Sequence, residues 1–354
     1  MISPGATYAP PVQIPIVGSG DSDFQIIVVN PTDPSGALTV QLDTGSTGLV
    51  VPASFFYVGG EFDYDARTGT ITGKLLPGVV LGGPAAIHYE PSSNDINGFY
   101  YTVPALSIGL DSSGPAAATA VNVKAIGAVG SNPHMMGIGF GRPVVADNPF
   151  LCISGMADGT TYSSYLLTTK GIWLGCTPSQ ANTRLGTSSF GFQKLSYTGT
   201  APQPRNSSAW STPVGYFAVS GLNPDVTQYG VLIDTGVELM MVKSDIANME
   251  TAIAAGSTIE LTIPGAGAAP ILSYSFKILG SENAVLGPGQ APRFVFTTVN
   301  TPPVSQQTAQ PMAPAYVVPL GTGAFVNTGF HVIRGYQLYF DAQVGQVGYA
   351  TYPA

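Results

Sequence analysis

Cysteine is almost missing from this chain: Cys152 and Cys176 are the two it has in 354 residues. Two cysteines make neither a CxxC pair nor a zinc cage, and His88, His134 and His331 stand too far apart for an HExxH or similar ligand spacing. No metal or other cofactor is expected. Charge is nearly as scarce, at 9 % of residues, with twelve Lys and Arg against twenty Asp and Glu. The basic residues are scattered, so the concentrated patch needed for counterion release is lacking, and nucleic acid and anionic membrane are poor candidate partners. No run approaches the roughly 18 apolar residues of a spanning helix. No basic and apolar leader opens the chain as it is given.

Apolar residues, by contrast, make up 44 %, with 44 Gly and 30 Pro. That composition argues for a folded, turn-rich chain rather than a disordered one. The net charge of −8 shrinks as mild acid protonates carboxylates, so acidic conditions need not build up self-repulsion. Each cysteine lies in an apolar run, PFLCI or IWLGC, so one disulfide and two inert buried thiols both remain open.

Short β-prone runs cut by Gly, Pro, Asn and Asp recur along the chain, among them FQIIVVN, ALTVQLD, YGVLID, IELTIPG, ILSYSFKIL and GYQLYFD. Such spacing reads as an all-β fold. Helical periodicity is weak, strongest over Ser244–Ala255 and in a short stretch near Thr161–Thr169. Residues 196–211, SYTGTAPQPRNSSAWS, are polar and proline-punctuated, as in a linker. They divide the chain into an N-terminal part, 1–195, and a C-terminal part, 212–354. Loop-like stretches around Pro91–Gly98 and Thr301–Pro314 are placed to cover or bind something.

An internal repeat supports that division. LTVQLDTGSTGLVVP, from Leu38, realigns on YGVLIDTGVELMMVK, from Tyr229, with Asp43 over Asp234, Thr44 over Thr235 and Gly45 over Gly236. Chance gives roughly one or two tenths of a DTG per chain of this composition, and two in matching strand contexts far less often. In each copy the strand anchors the aspartate, the glycine permits a tight turn without a Cβ clash, and the threonine hydroxyl can tie the turn to its neighbour. A lone DTG is an ordinary β-turn; a repeated one in a two-part chain brings Asp43 and Asp234 to a common axis. Two such carboxylates hold one proton between them, one acting as base and the other as acid. A water between them can then attack an amide carbonyl, which is metal-free peptide hydrolysis without a covalent intermediate. A glycosidase needs its carboxylates about 5 Å apart or more, further than paired turns leave them, and no GxSxG elbow offers a serine nucleophile.

LDTGSTGLVVP and VLIDTGVELMM resemble the two active-site motifs of pepsin-like aspartic peptidases, and the order of features over nearly the whole chain fits that family. MMGIGFGRP, from Met135, and FVNTGFHVIRGYQLYFDAQVGQVGYA, from Phe325, are similar to its bacterial branch, the C-terminal protease domain of mycobacterial PE_PGRS surface proteins. The resemblance implies a bilobed all-β pepsin-like fold of two pseudo-symmetric lobes, with few short helices and a cleft between them. It makes Asp43 and Asp234 the catalytic pair, with Thr44, Gly45, Thr235 and Gly236 supporting them and Ser46 bonding the outer oxygen of Asp43. It makes AIHYEPSSNDINGFYY the covering flap with Tyr89 as its tyrosine, and matches Gly139 and Gly329 to glycines packed beneath the aspartates. It also implies a polypeptide substrate, sensitivity to pepstatin-like inhibitors, a monomer, and a secreted or cell-surface location.

Three departures bear on activity. Val237 stands where Ser or Thr is usual, which would leave Asp43 the more acidic member and Asp234 the proton holder; the usual family role is the reverse, so that assignment stays open. Val50 replaces a tryptophan that partners the flap tyrosine. Asn327 and Thr328 precede Gly329 where apolar residues are expected. His88, adjoining Tyr89 on an alternating strand, should face away from it; Met135, Met136, Met240 and Met241 read as core filler, and Glu238 as a solvated charge. The rival to a peptidase is a catalytically weak or inactive binding module of the same fold.

Overall fold

The computed structural model describes residues 7–18, 24–33, 36–89, 95–109, 117–142, 146–184, 189–222, 228–246, 248–265, 269–286, 290–300 and 312–352. Strands dominate, as the alternating runs require. The N-terminal lobe is a seven-stranded sheet that curls until its first strand, Gln25–Val29, also pairs with the long strand Asp95–Ile108. The C-terminal lobe is a closed eight-stranded barrel running from Val214–Val219 to Phe325–Asn327. Beneath both lies a six-stranded sheet whose order from edge to edge is Val12–Ile14, Gly171–Leu174, Ser164–Thr168, Tyr336–Asp341, Gln346–Thr351 and Gly191–Lys194. Strands from either side of residues 196–211 are thus hydrogen-bonded to one another. Residues 196–211 form a loop pinned at its neck, where Tyr197 bridges Trp210 and Ser211 donates its N–H to the Ser196 carbonyl.

The repeat seen in the sequence is a repeat of hydrogen bonding. In the first lobe Leu38–Asp43 turns into Thr47–Pro52, and Met135–Ile138 lies between them, parallel to the former and antiparallel to the latter. In the second lobe Tyr229–Leu232 turns into Met240–Lys243, and Phe325–Asn327 takes the same place with the same two polarities. Clamping each turn between three strands fixes its carboxylate. The buried side chains Leu42, Leu49, Met136 and Ile138, and in the other lobe Val231, Met240, Val242 and Val326, pack the strands from the core side. Burial of each such residue contributes on the order of 1.5–3 kcal/mol.

Two helix expectations are corrected. Thr161–Thr169 contains the strand Ser164–Thr168, fully buried because it is an interior strand of the shared sheet with apolar neighbours on both faces. Ser244–Ala255 keeps only one helical turn, Met249–Ala252, entered through Asn248 in the left-handed region at φ 52°. A helix that the periodicity missed spans Pro178–Arg184, which buries Ala181 alone. Cys152 and Cys176 are free thiols, so the open choice resolves against a disulfide; burial pushes Cys152 up to about 12 and Cys176 upward as well. Among the described residues no helix is long and apolar enough to cross a membrane, and no group of three metal-ligating side chains occurs.

Candidate active site

Asp43 ends its strand and Asp234 follows its own by two residues, and both are nearly buried, at 3 % and 6 % exposure. Each turn's glycine abuts the opposite carboxylate. A Cβ on Gly45 would collide with the Asp234 carboxyl group, and one on Gly236 would lie 2.7 Å from Asp43 Oδ1. Glycine here serves close approach as much as turning.

The threonines lock the two turns together. Thr44 Oγ1 donates to the Ile233 carbonyl at 2.6 Å and accepts from the Thr235 N–H at 3.1 Å. Thr235 Oγ1 donates to the Leu42 carbonyl at 2.7 Å and accepts from the Thr44 N–H at 3.0 Å. Four buried backbone groups are thereby satisfied across the pseudo-dyad, where unpaired ones would each cost about 1–3 kcal/mol. The Gln41 amide, which sequence reasoning did not single out, also reaches across to the carbonyls of Thr235 and Gly236 at 3.4 Å.

The carboxylates are held by different means. Asp43 accepts from Gly45 N–H at 2.6 Å and from Ser46 Oγ at 2.5 Å. Asp234 accepts from Gly236 N–H at 2.8 Å and, at its other oxygen, from Asn327 Nδ2 at 2.6 Å. The donor missing at Val237 is therefore supplied by Asn327, whose own carbonyl is anchored by Gly329 N–H at 3.0 Å. The exchange is reciprocal between lobes. Counting back two residues from Gly139 and Gly329, Gly137 matches Asn327, and a Cβ on Gly137 would lie 2.6 Å from Ser46 Oγ. One lobe has serine in the turn and glycine in the strand; the other has valine in the turn and asparagine in the strand.

Burial, and then the charge of the adjoining Asp234, push the Asp43 carboxyl well above the usual carboxylate range, outweighing the bonds from Ser46 and Gly45 that pull it down. Asn327 removes the asymmetry on which the expectation drawn from Val237 rested, and the two carboxyls titrate as one unit.

These residues floor a cleft of about 280 Å³. Tyr89 closes it from above, at the end of the hairpin Val80–His88 and Asp95–Ile108, and packs against Val50, Ala85, Ile126 and Ala146 where an indole is absent. The remainder of the flap tip lies outside the described residues. The Tyr89 hydroxyl is buried without a hydrogen-bond partner, and burial followed by the Asp43 charge pushes its ionisation upward.

No family model and no curated protein sequence matches the chain. A solved structure does: an aspartic proteinase from Irpex lacteus, with a TM-score of 0.51 and 16 % identity, over 97 % of this chain and 98 % of that one. The fold is pepsin-like. At that identity the likeness speaks for the architecture, a bilobed all-β one with a cleft between lobes.

Within the pepsin-like fold, Asp43, Asp234, Thr44, Thr235, Gly45, Gly236, Ser46 and Tyr89 are brought together, whereas Glu238 does not line the cleft. His88 faces away from Tyr89 as alternation requires: its exposed side chain pairs with Asp95 at 3.0 Å, while Ala85, Ile87 and Tyr89 share the packed face. Two expectations change. Met135 and Met241 are cleft walls as well as packing residues. Arg142, read only as one of the scattered basic residues, lines the same cleft. A polar Asn327 inside an otherwise apolar strand, opposite a DTG that lacks its usual hydroxyl, was the available signal for the missing donor.

Proposed function

We propose that the chain is an aspartic endopeptidase, hydrolysing peptide bonds at acidic pH with a water activated between Asp43 and Asp234. The observation that carries this reading is the face-to-face packing of the two turns, in which each glycine admits the other turn's carboxylate. The pair shares one proton. The ionised member takes a proton from the water as its oxygen bonds to the amide carbon, while the protonated member gives its proton to the carbonyl oxygen, forming a gem-diol. Collapse of the gem-diol breaks the C–N bond as one hydroxyl proton returns to the second carboxylate and the proton held by the first passes to the leaving nitrogen. Thr44, Thr235, Ser46 and Asn327 hold the carboxylates; the unpartnered Tyr89 hydroxyl gains a bond when substrate backbone enters the cleft.

The case for an inactive binding module rested on the donor lost at Val237 and on Val50 in place of an indole. Asn327 supplies that donor and Tyr89 packs against Val50, so no specific observation favours that module. The closer kinship to the PE_PGRS protease branch, residues 1–195 and 212–354 as the two units, monomeric state, pepstatin sensitivity and a secreted or surface location belong to the same proposal and rest on the motif resemblance. Incubation with denatured protein between pH 3 and 7, with and without pepstatin, tests it. Cleavage should be confined to acid, blocked by pepstatin, and abolished in Asp43→Asn and Asp234→Asn; activity surviving in either variant discards the dyad.

A further inference from the structure

The charges in the cleft do not balance. Among the described residues its acidic lining is Asp43 and Asp234, and these are committed to each other and to the donors already described. His88 is paired with Asp95. Arg142 also lines the cleft, is half-buried, and forms no ion pair or hydrogen bond among the described residues. Its position is nonetheless fixed. Phe140 is buried, Gly141 stands at φ 76°, and the Gly141 carbonyl accepts from Thr212 Oγ1 at 3.0 Å, which fastens this segment to the start of the second lobe. Apolar side chains, Met135, Met241, Val237 and Ile87, line the same cleft.

A guanidinium half-withdrawn from water with no counter-ion carries an unrecovered desolvation cost. A carboxylate delivered by a ligand recovers it through charge-assisted, bidentate hydrogen bonds, for which the planar fork of arginine is suited. We propose that Arg142 is a specificity-determining residue that selects polypeptide substrates carrying an acidic side chain, Asp or Glu, at one position near the cut bond, with apolar side chains against the methionine walls. This rests on the peptidase reading above and names its substrate class.

The test uses fluorogenic peptides in pairs that differ by Glu against Gln at one position, scanned across four positions on each side of the cut bond. At one position Glu should exceed Gln in kcat/KM by about ten- to a hundredfold. The ratio should grow as pH rises from 3.5 to 5.5, because the Glu side chain ionises near 4.3. Arg142→Gln should bring the ratio near one, Arg142→Lys should leave part of it, and Arg142→Glu should favour Lys at that position. Equal cleavage of Glu and Gln peptides by the wild-type chain at every position, or a preference that Arg142→Gln leaves intact, overturns the inference. The wild-type pH trend stands even if a variant fails to fold.

Binding of the same labelled peptides to Asp43→Asn, followed by fluorescence anisotropy, separates this inference from the peptidase reading. No cleavage by the wild-type chain, together with Arg142-dependent tighter binding of the Glu peptide, defeats the peptidase and keeps the acidic ligand. Cleavage with no Arg142-dependence in either assay does the reverse.

Discussion

Asn327 and Ser46 solve one problem from two directions. Each places a donor on the outer oxygen of an aspartate, one from a strand and one from the turn itself, and the position facing each donor is emptied or made apolar to receive it. Asn327→Ala should therefore lower kcat by about ten- to a hundredfold, the loss expected for one hydrogen bond to a charged group. The acid limb of the rate profile should move to higher pH, since hydrogen bonds to a carboxylate favour its charged form. The variant Val237→Ser with Asn327→Gly rebuilds the arrangement of the first lobe and should recover much of the rate, whereas Val237→Ser alone crowds the Asn327 side chain. A double-mutant cycle measures this non-additivity. If Asn327→Ala keeps both the wild-type rate and the wild-type pH profile, the exchange has no mechanistic content.

Among the elements, the threonine lattice is what makes two turns into one site. Thr44→Ala strands the Thr235 N–H and the Ile233 carbonyl in a buried place, so it should cost about 2–4 kcal/mol in urea unfolding. Thr235→Ala should cost about as much, the double variant less than the sum, and Thr44→Ser little. A Thr44→Ala chain within about 0.5 kcal/mol of wild type would show the lattice to be dispensable. This device was legible in the sequence because it repeats; DTG in two strand contexts announced the strands, the turns and their meeting. The elements that were misread lack such a signature. Ser164–Thr168 is apolar on both faces, so its sequence carries no period by which a strand can be told from a helix. Pro178–Arg184 buries one side chain and has no apolar stripe, but its start was readable: Thr177 and Gln180 form a reciprocal cap, with Thr177 N–H on Gln180 Oε1 at 2.8 Å and Gln180 N–H on Thr177 Oγ1 at 3.3 Å. Arg142 was illegible for a different reason, since only the folded chain shows that no carboxylate of the described residues comes to meet it.

For the molecule as a whole, tolerance of acid is set by two buried groups with opposite signs. Asp341, in the sheet shared by both lobes, is fully buried against Tyr162 and Gln346, and burial raises it from 3.8 to about 6. The folded chain thus holds a proton that the unfolded chain releases, and stability from this group, full below pH 4, is lost as pH rises to 6, about 3 kcal/mol in all. His331 hydrogen-bonds Tyr274 at 3.2 Å, and burial, then Arg334, lower it from 6.5 to about 3. The unfolded chain takes up a proton that the folded one refuses, so stability falls as pH drops from 6.5 towards 3, by about 5 kcal/mol. Between pH 4 and 6 the two slopes, each about 1.4 kcal/mol per pH unit, cancel; the raised Asp43 adds to the side of Asp341. Urea midpoints of the wild-type chain should accordingly change little between pH 6 and 4, or rise slightly towards acid, then fall below pH 4 where His331 acts alone. Asp341→Asn removes the compensating slope without adding charge, and Tyr162 can turn from donor to acceptor to meet the new amide. That variant should be at least as stable as wild type at pH 7 and lose stability steadily on acidification, while His331→Gln should show the opposite trend. An Asp341→Asn chain whose midpoints track the wild type from pH 7 to pH 4 would leave the balance between these two groups without effect on how the protein withstands the acid in which its proposed chemistry runs.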